Sequence, residues 1–153
     1  MRVCGIDPGK SGAVCILDTD SLVAPVLLDL DKSTIYEVAL WMHNQDIDIV
    51  FLEDVHSIFG MSAKSNFSFG KNLGVVTALA QVVTKGKPTE YVTPKVWQKF
   101  IGVTAKGKAI KTDVANIARH MYPSIELYGP QGGLKDGRAD ALMITHYGIN
   151  HLP

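Results

Sequence analysis

An apolar run from Arg2 to Ile6 stops at Asp7-Pro8-Gly9 and resumes from Gly12 to Leu17, and no other stretch constrains the fold as strongly. Short runs of β-forming residues bounded by turn residues read as buried strands, so the chain opens with a strand, a loop and an antiparallel neighbour. A third strand is predicted over Leu22 to Leu28. The pattern then changes to helical spacing over Thr34 to Met42, where Ile35, Val38, Ala39 and Met42 share a face and Ser33 is placed to cap it.

Asp48 to Glu53, DIVFLE, is a further strand that ends in a carboxylate, and His56 to Phe69 has no clear period and reads as a loop. Beyond it the spacing predicts a helix over Asn72 to Thr84, a strand over Thr89 to Val92, a proline-opened helix over Pro94 to Phe100, and helices over Thr112 to Met121 and Asp136 to Ile149. Strands gathered early and alternating with helices later give an α/β fold, a mixed five-stranded sheet flanked by helices. The Gly- and Pro-rich stretch from Tyr128 to Gly133 delivers the last helix, and no repeat or linker divides the chain. One domain over residues 1–153 is expected, since 46% apolar residues in 153 suffice for a core without metal or disulfide support.

Fifteen basic and fifteen acidic residues cancel, so any attraction to phosphates must come from a local patch. Cys4 and Cys15 lie in apolar runs without C-x-x-C spacing, which predicts buried thiols in a reducing, cytoplasmic setting and excludes a zinc site. No basic leader precedes an apolar stretch, and no run approaches the roughly 20 apolar residues of a membrane span. A soluble, unprocessed protein with no membrane partner and no organic cofactor is expected.

Four carboxylates stand where chemistry is built in such folds: Asp7 and Glu53 at strand ends, Asp136 and Asp140 at the start of the last helix. If the two strands are neighbours, Asp7 and Glu53 sit side by side, while Asp136 and Asp140, at i and i+4, share one helix face about 5–6 Å apart. Clustered carboxylates repel unless cations neutralise them, and Mg2+, with Mn2+ as a substitute, is the natural hard-ion partner. Two such ions about 3.5–4 Å apart support phosphodiester hydrolysis without a covalent intermediate. Taken singly, Asp7 also suits the first residue of an Asp-Pro-Gly turn and Asp136 a helix cap, whereas Asp140 lies one turn inside the helix, where a cap has no function.

At this point the residues resemble a family. GIDPGKSGA is similar to the opening of RuvC-type Holliday junction resolvases, with Asp7 at its first catalytic carboxylate. FLEDV resembles the strand carrying the catalytic glutamate, here Glu53; YVTPKVWQKFIG resembles the next strand, proline and helix; KGKAIKTDVANIA resembles the basic loop and its helix; and KDGRADALMITHYG resembles the closing helix. The similarity spans residues 1–150 and implies an RNase H-like fold, divalent-metal catalysis and a branched-DNA substrate. The family spaces its last two carboxylates three apart and this chain four; alignment on Ala-Asp-Ala-Leu matches Asp140, with Asp136 as the fourth member. GIDPG-like openings also occur in actin-like ATPases, but that architecture needs two such domains.

Lys106, Lys108 and Lys111 precede a helix in a glycine-containing segment suited to following phosphates, with Lys95 and Lys99 nearby. The resemblance favours Lys108 and Lys111 as backbone contacts. Phe59, Phe67 and Phe69 are expected in the loop after Glu53, where the family stacks an aromatic on unpaired bases; Phe59 is the wedge candidate and Phe69 the candidate for stapling the following helix. Two symmetric cuts at a four-way junction call for a two-fold homodimer, for which Leu73, Val76, Leu79, Ala80 and Val83 offer an apolar helix that serves equally as core. The histidines lack metal-ligand spacing, and Trp41 and Trp97 read as packing residues. A junction-resolving, Mg2+-dependent endonuclease is therefore the leading expectation, against a non-cleaving branched-DNA binder or a ribonuclease H acting on RNA–DNA hybrids.

Overall fold

In the computed structural model, which describes residues 1–56 and 60–153, the chain runs β1 (Arg2–Asp7), β2 (Ala13–Asp18), β3 (Val26–Asp29), α1 (Ile35–His43), β4 (Ile49–Glu53), α2 (Ala63–Val83), β5 (Thr89–Val92), α3 (Pro94–Ile101), α4 (Ala109–Met121) and α5 (Asp136–Ile149). The strands form one sheet in the order β3-β2-β1-β4-β5. β1 pairs antiparallel with β2, Gly5 opposite Cys15, and parallel with β4, Gly5 opposite Phe51; β4 pairs parallel with β5. This is the mixed, helix-flanked sheet that the apolar runs predict. A sheet buried on both faces needs apolar side chains at consecutive positions, as Val3 to Ile6 and Ile49 to Leu52 supply.

Alternate side chains of the central strands feed two cores. On one face Val3, Cys15, Ile49 and Phe51 meet α3, α4 and α5; on the other Cys4, Ile6, Val50 and Leu52 meet α1 and α2. Helix α5 lies against the first face at close range. A Cβ on Gly5 would fall 2.4 Å from the backbone nitrogen of Thr145, one on Gly137 would fall 2.1 Å from the Ser11 carbonyl oxygen, and one on Gly148 would fall 2.5 Å from the Phe51 ring. The three glycines are therefore contact surfaces for the helix and its neighbours. Cys4 and Cys15 are buried, unbridged thiols, and no helix among the described residues is long and apolar enough to cross a membrane.

Several expectations need correction. The third strand starts at Val26 rather than Leu22, because Leu22 and Val23 are exposed and face no sheet neighbour. Helix α1 is capped by Thr34, whose hydroxyl accepts from the Glu37 amide while Glu37 accepts from the Thr34 amide, a capping box; Ser33 instead donates to the Asp29 carbonyl. The loop after Glu53 ends at Ser62, not Phe69. Ser62 caps α2 by accepting from the Ser65 amide, so Phe67 and Phe69 lie within the helix, and Phe69 cannot staple a helix start at residue 72. The polar first turns of α2 carry no apolar period, which hid them from a reading by hydrophobic spacing. Within α2, Val76 and Ala80 are buried, and Leu73, Leu79 and Val83 pack against the core, the core alternative for this helix.

Candidate active site

Parallel pairing of β1 and β4 sets Ile6 opposite Leu52, so the two strands deliver Asp7 and Glu53 side by side at their C-terminal ends. Asp7 has both of its expected characters. One carboxylate oxygen accepts from the Gly9 amide at 2.9 Å, the turn closure expected of Asp-Pro-Gly, while burial and the nearby Asp136 raise its pKa against that bond and Lys111. Glu53 is only 8% exposed. Burial first, and the Asp7 charge second, push it up to about 7, opposed by a hydrogen bond donated by the Trp97 indole at 3.0 Å.

Helix α5 brings the other two carboxylates over these strand ends. Asp136 is its first residue and makes no capping bond; its carboxylate instead accepts from the Lys111 ammonium, which removes the simple cap reading. Asp140, one turn on, is raised well above the ordinary carboxylate range, by burial first and then by Asp7, Glu53 and Asp136 in turn. Lys111, at the start of α4, is correspondingly raised by its bond to Asp136 and by the fields of Asp136, Asp140 and Asp7. The four carboxylates picked from sequence thus share one electrostatic neighbourhood with one lysine in it.

Their donor chemistry fits a hard divalent cation: oxygen ligands, largely buried at Asp7, Glu53 and Asp140 and half-buried at Asp136, mutually repelling and answered by Lys111 alone among the charged groups that shift them. Among the described residues, however, no three Asp, Glu, His or Cys side chains are gathered at metal-holding distance, and it is Lys111 that answers Asp136. The remaining basic candidates, Lys95, Lys106 and Lys108, are exposed at the start of α3 and in the segment leading into α4. That segment turns at Gly102 and Gly107, both with positive φ, and Asp113 anchors it by accepting from the Thr104 and Ala105 amides at 3.0 and 3.1 Å. Phe67 is 76% exposed on α2, and Phe59 lies outside the described residues. His56 is exposed, 3.7 Å from Asp54.

Three participants escaped the sequence reading. Trp97 is fully buried as expected of a packing residue, but its N–H also fixes Glu53. Asp113 is one acid on α4 with no spacing or motif to set it apart. Arg138, between the two α5 carboxylates, turns away from them and forks onto Asp29 at 2.7 and 2.8 Å, tying α5 to β3. Only Trp97 carried a signal, lying on the buried face of a helix directly after the Glu53 and β5 strands.

No protein-family model matches the chain, and no curated protein sequence matches it. Solved structures do. Thermus thermophilus RuvC in complex with a Holliday junction substrate aligns at TM-score 0.59 and 20% identity over 95% of this chain and 90% of that one. A second Thermus thermophilus RuvC structure aligns at TM-score 0.53 and 22% identity over 94% and 92%. The Fowlpox virus resolvase in complex with Holliday junction DNA aligns at TM-score 0.49 and 17% identity. The chain has the RNase H-like fold of RuvC. The resemblance carried in sequence by short motifs thus extends across the whole fold.

Proposed function

We propose that this protein is a divalent-metal-dependent endonuclease that resolves four-way DNA junctions by paired, symmetric cuts, acting as an intracellular homodimer with one acidic centre per subunit. The observation that carries the reading is the meeting of Asp7, Glu53, Asp136 and Asp140 at the ends of β1, β4 and α5, with each raised carboxylate held up first by burial and then by its neighbours. A site so short of positive charge suits chemistry that brings cations with the substrate. The RuvC-like fold supports this reading, and the motif resemblance names the same four residues.

In this reading the carboxylates of Asp7, Glu53 and Asp140, with Asp136, would hold two Mg2+ ions. Bound Mg2+ would supply charge neutralisation and acidify a water. The chain's own groups do the rest. Trp97 keeps Glu53 in one orientation, and the Gly9 amide does the same for Asp7. Lys111 is freed from Asp136 to meet a phosphate oxygen, while Lys95, Lys106 and Lys108 hold the backbone to either side. A water oxygen then bonds to phosphorus, one bridging P–O bond breaks, and the leaving oxygen takes a proton. Phe59 and Phe67 are the aromatic candidates for stacking on bases opened at the crossover.

The test is cleavage of a labelled four-way junction, with linear duplex and RNA–DNA hybrid alongside, by wild type and Asp7→Asn in Mg2+ and in EDTA. Paired Mg2+-dependent nicks that fall by roughly a hundredfold or more in Asp7→Asn are expected. Junction binding without cutting under any metal would make the protein a binding module, and cutting of the hybrid alone would make it a ribonuclease H.

A further inference from the structure

Asp136 faces Lys111 and also forms part of the wall of an open groove of about 520 Å³. Its other walls come from three separate places: Ser11 in the β1–β2 turn, Asp31 and Lys32 just after β3, and the segment Gly129–Lys135 that precedes α5. The groove is built rather than left over. Tyr128 and Leu134 form an isolated antiparallel bridge, the Gly129 amide donates to the Gly133 carbonyl at 2.7 Å, and Lys135 donates to the Leu127 carbonyl at 2.8 Å. Arg138 joins the walls, with its fork on Asp29 on one side and a bond to the Glu126 carbonyl at 2.9 Å on the other.

Its lining is wrong for a small apolar ligand and right for a polyanionic strand. Pockets for small molecules are mostly apolar, whereas here, beside Pro130 and Leu134, the walls carry glycine backbone, Ser11, Gln131, two lysines and the carboxylates of Asp31 and Asp136. Lys32 and Lys135 come from separate segments of the lining, and Asp31 lies 3.8 Å from the Lys135 ammonium. Asp136 both lines the groove and accepts from Lys111, so the groove adjoins the lysine at the start of α4. A strand following the phosphate-binding lysines of α4 past the carboxylates would run into this groove.

We propose that the groove is a binding subsite for the DNA strand next to the scissile phosphate, with Lys32 and Lys135 contacting its phosphates and Gln131 and Ser11 as neutral donors. The assignment rests on the nuclease reading above. It gives the glycine-rich segment a function beyond joining α4 to α5: the segment is one wall of the channel that fixes which phosphate reaches the carboxylates.

The test uses the full-length chain carrying Lys32→Ala with Gln131→Ala, both exposed positions, beside wild type and a control, Lys85→Ala, exposed in the turn between α2 and β5 at the end of the sheet away from the carboxylates. Affinity for a fluorescent four-way junction is measured in Ca2+ over a salt series, and single-turnover cleavage in Mg2+ at saturating protein. The double variant should bind roughly tenfold more weakly, with the slope of log K against log salt shallower by about 0.7–0.9, one lost phosphate contact, and the cleavage rate of the bound junction within about twofold of wild type. A photo-crosslinker on Gln131→Cys should mark the cleaved strand beside the cut. Wild-type cutting with unchanged affinity and slope in the double variant overturns the groove alone. A wild type that neither binds nor cuts junctions overturns the nuclease reading, and the groove with it.

Discussion

Helices α5 and α2 cover opposite faces of the same sheet, yet eight of the 14 residues of α5 are buried against two of the 21 in α2. On the α5 face glycines at residues 5, 137 and 148 let backbone meet backbone or ring, and Thr145 donates to the carbonyls of Ala141 and Cys15. On the α2 face Gly70 and Gly74 have open space where a Cβ would go, and Phe67, Val75 and Val82 are exposed. Asp136 and Asp140 ride on this tight side, where close packing fixes the helix that carries them, a rigidity that the proposed phosphoryl chemistry requires. The loose side is under no such demand, and its apolar residues Phe67, Val75 and Val82 stay exposed.

Substitutions that add a methyl group test this contrast directly. Gly5→Ala pushes a Cβ into the α5 backbone and should cost about 3 kcal/mol of unfolding free energy, read in urea, with junction cleavage lost alongside. A loss below about 1 kcal/mol would mean that α5 can shift outward and that its close seating is not what places the carboxylates.

Metal and pH offer the next largest effect. With Glu53 raised from 4.5 to about 7, the native state keeps a proton that the unfolded chain has already released. Stability of the metal-free protein must therefore fall as pH rises from about 4.5 through about 7, by on the order of 2–3 kcal/mol from this group, and Asp7 and Asp140 act in the same direction. Thermal melts across that window in EDTA should show the decline, and Mg2+ should flatten it. Melts that are level with pH in EDTA would show that the carboxylates are neither desolvated nor crowded by one another.

Trp97→Phe keeps the buried ring but removes the donor to Glu53. Second-sphere losses of this kind cost about tenfold, so the cleavage rate should drop by about that factor and the Mg2+ concentration for half-maximal rate should rise. Equal loss at all Mg2+ concentrations would point to packing alone. Smallest is Gly74→Ala, which on the loose face should stabilise the protein by about 0.5–1 kcal/mol by restricting the unfolded chain at an exposed helical position. Destabilisation there would show that α2 is packed more closely than its exposure indicates.

Much of this architecture was legible because strand and helix periods are local properties. The β1 and β4 runs, the Asp136–Ile149 span of α5 and the four carboxylates could all be picked out from neighbouring residues. The start of α2 could not, since Ser62 and the polar turns after it carry a cap but no apolar period. Sequence by itself therefore determined the elements, their mixed sheet and the acids at their ends. Tertiary structure alone decided who partners whom: Lys111 with Asp136 across 25 residues, Trp97 with Glu53 across 44, and Arg138 with Asp29 across 109. Such pairs depend on the path of the chain between them, which sets how far burial strengthens each charge and which of several equivalent lysines, arginines and tryptophans reaches it first.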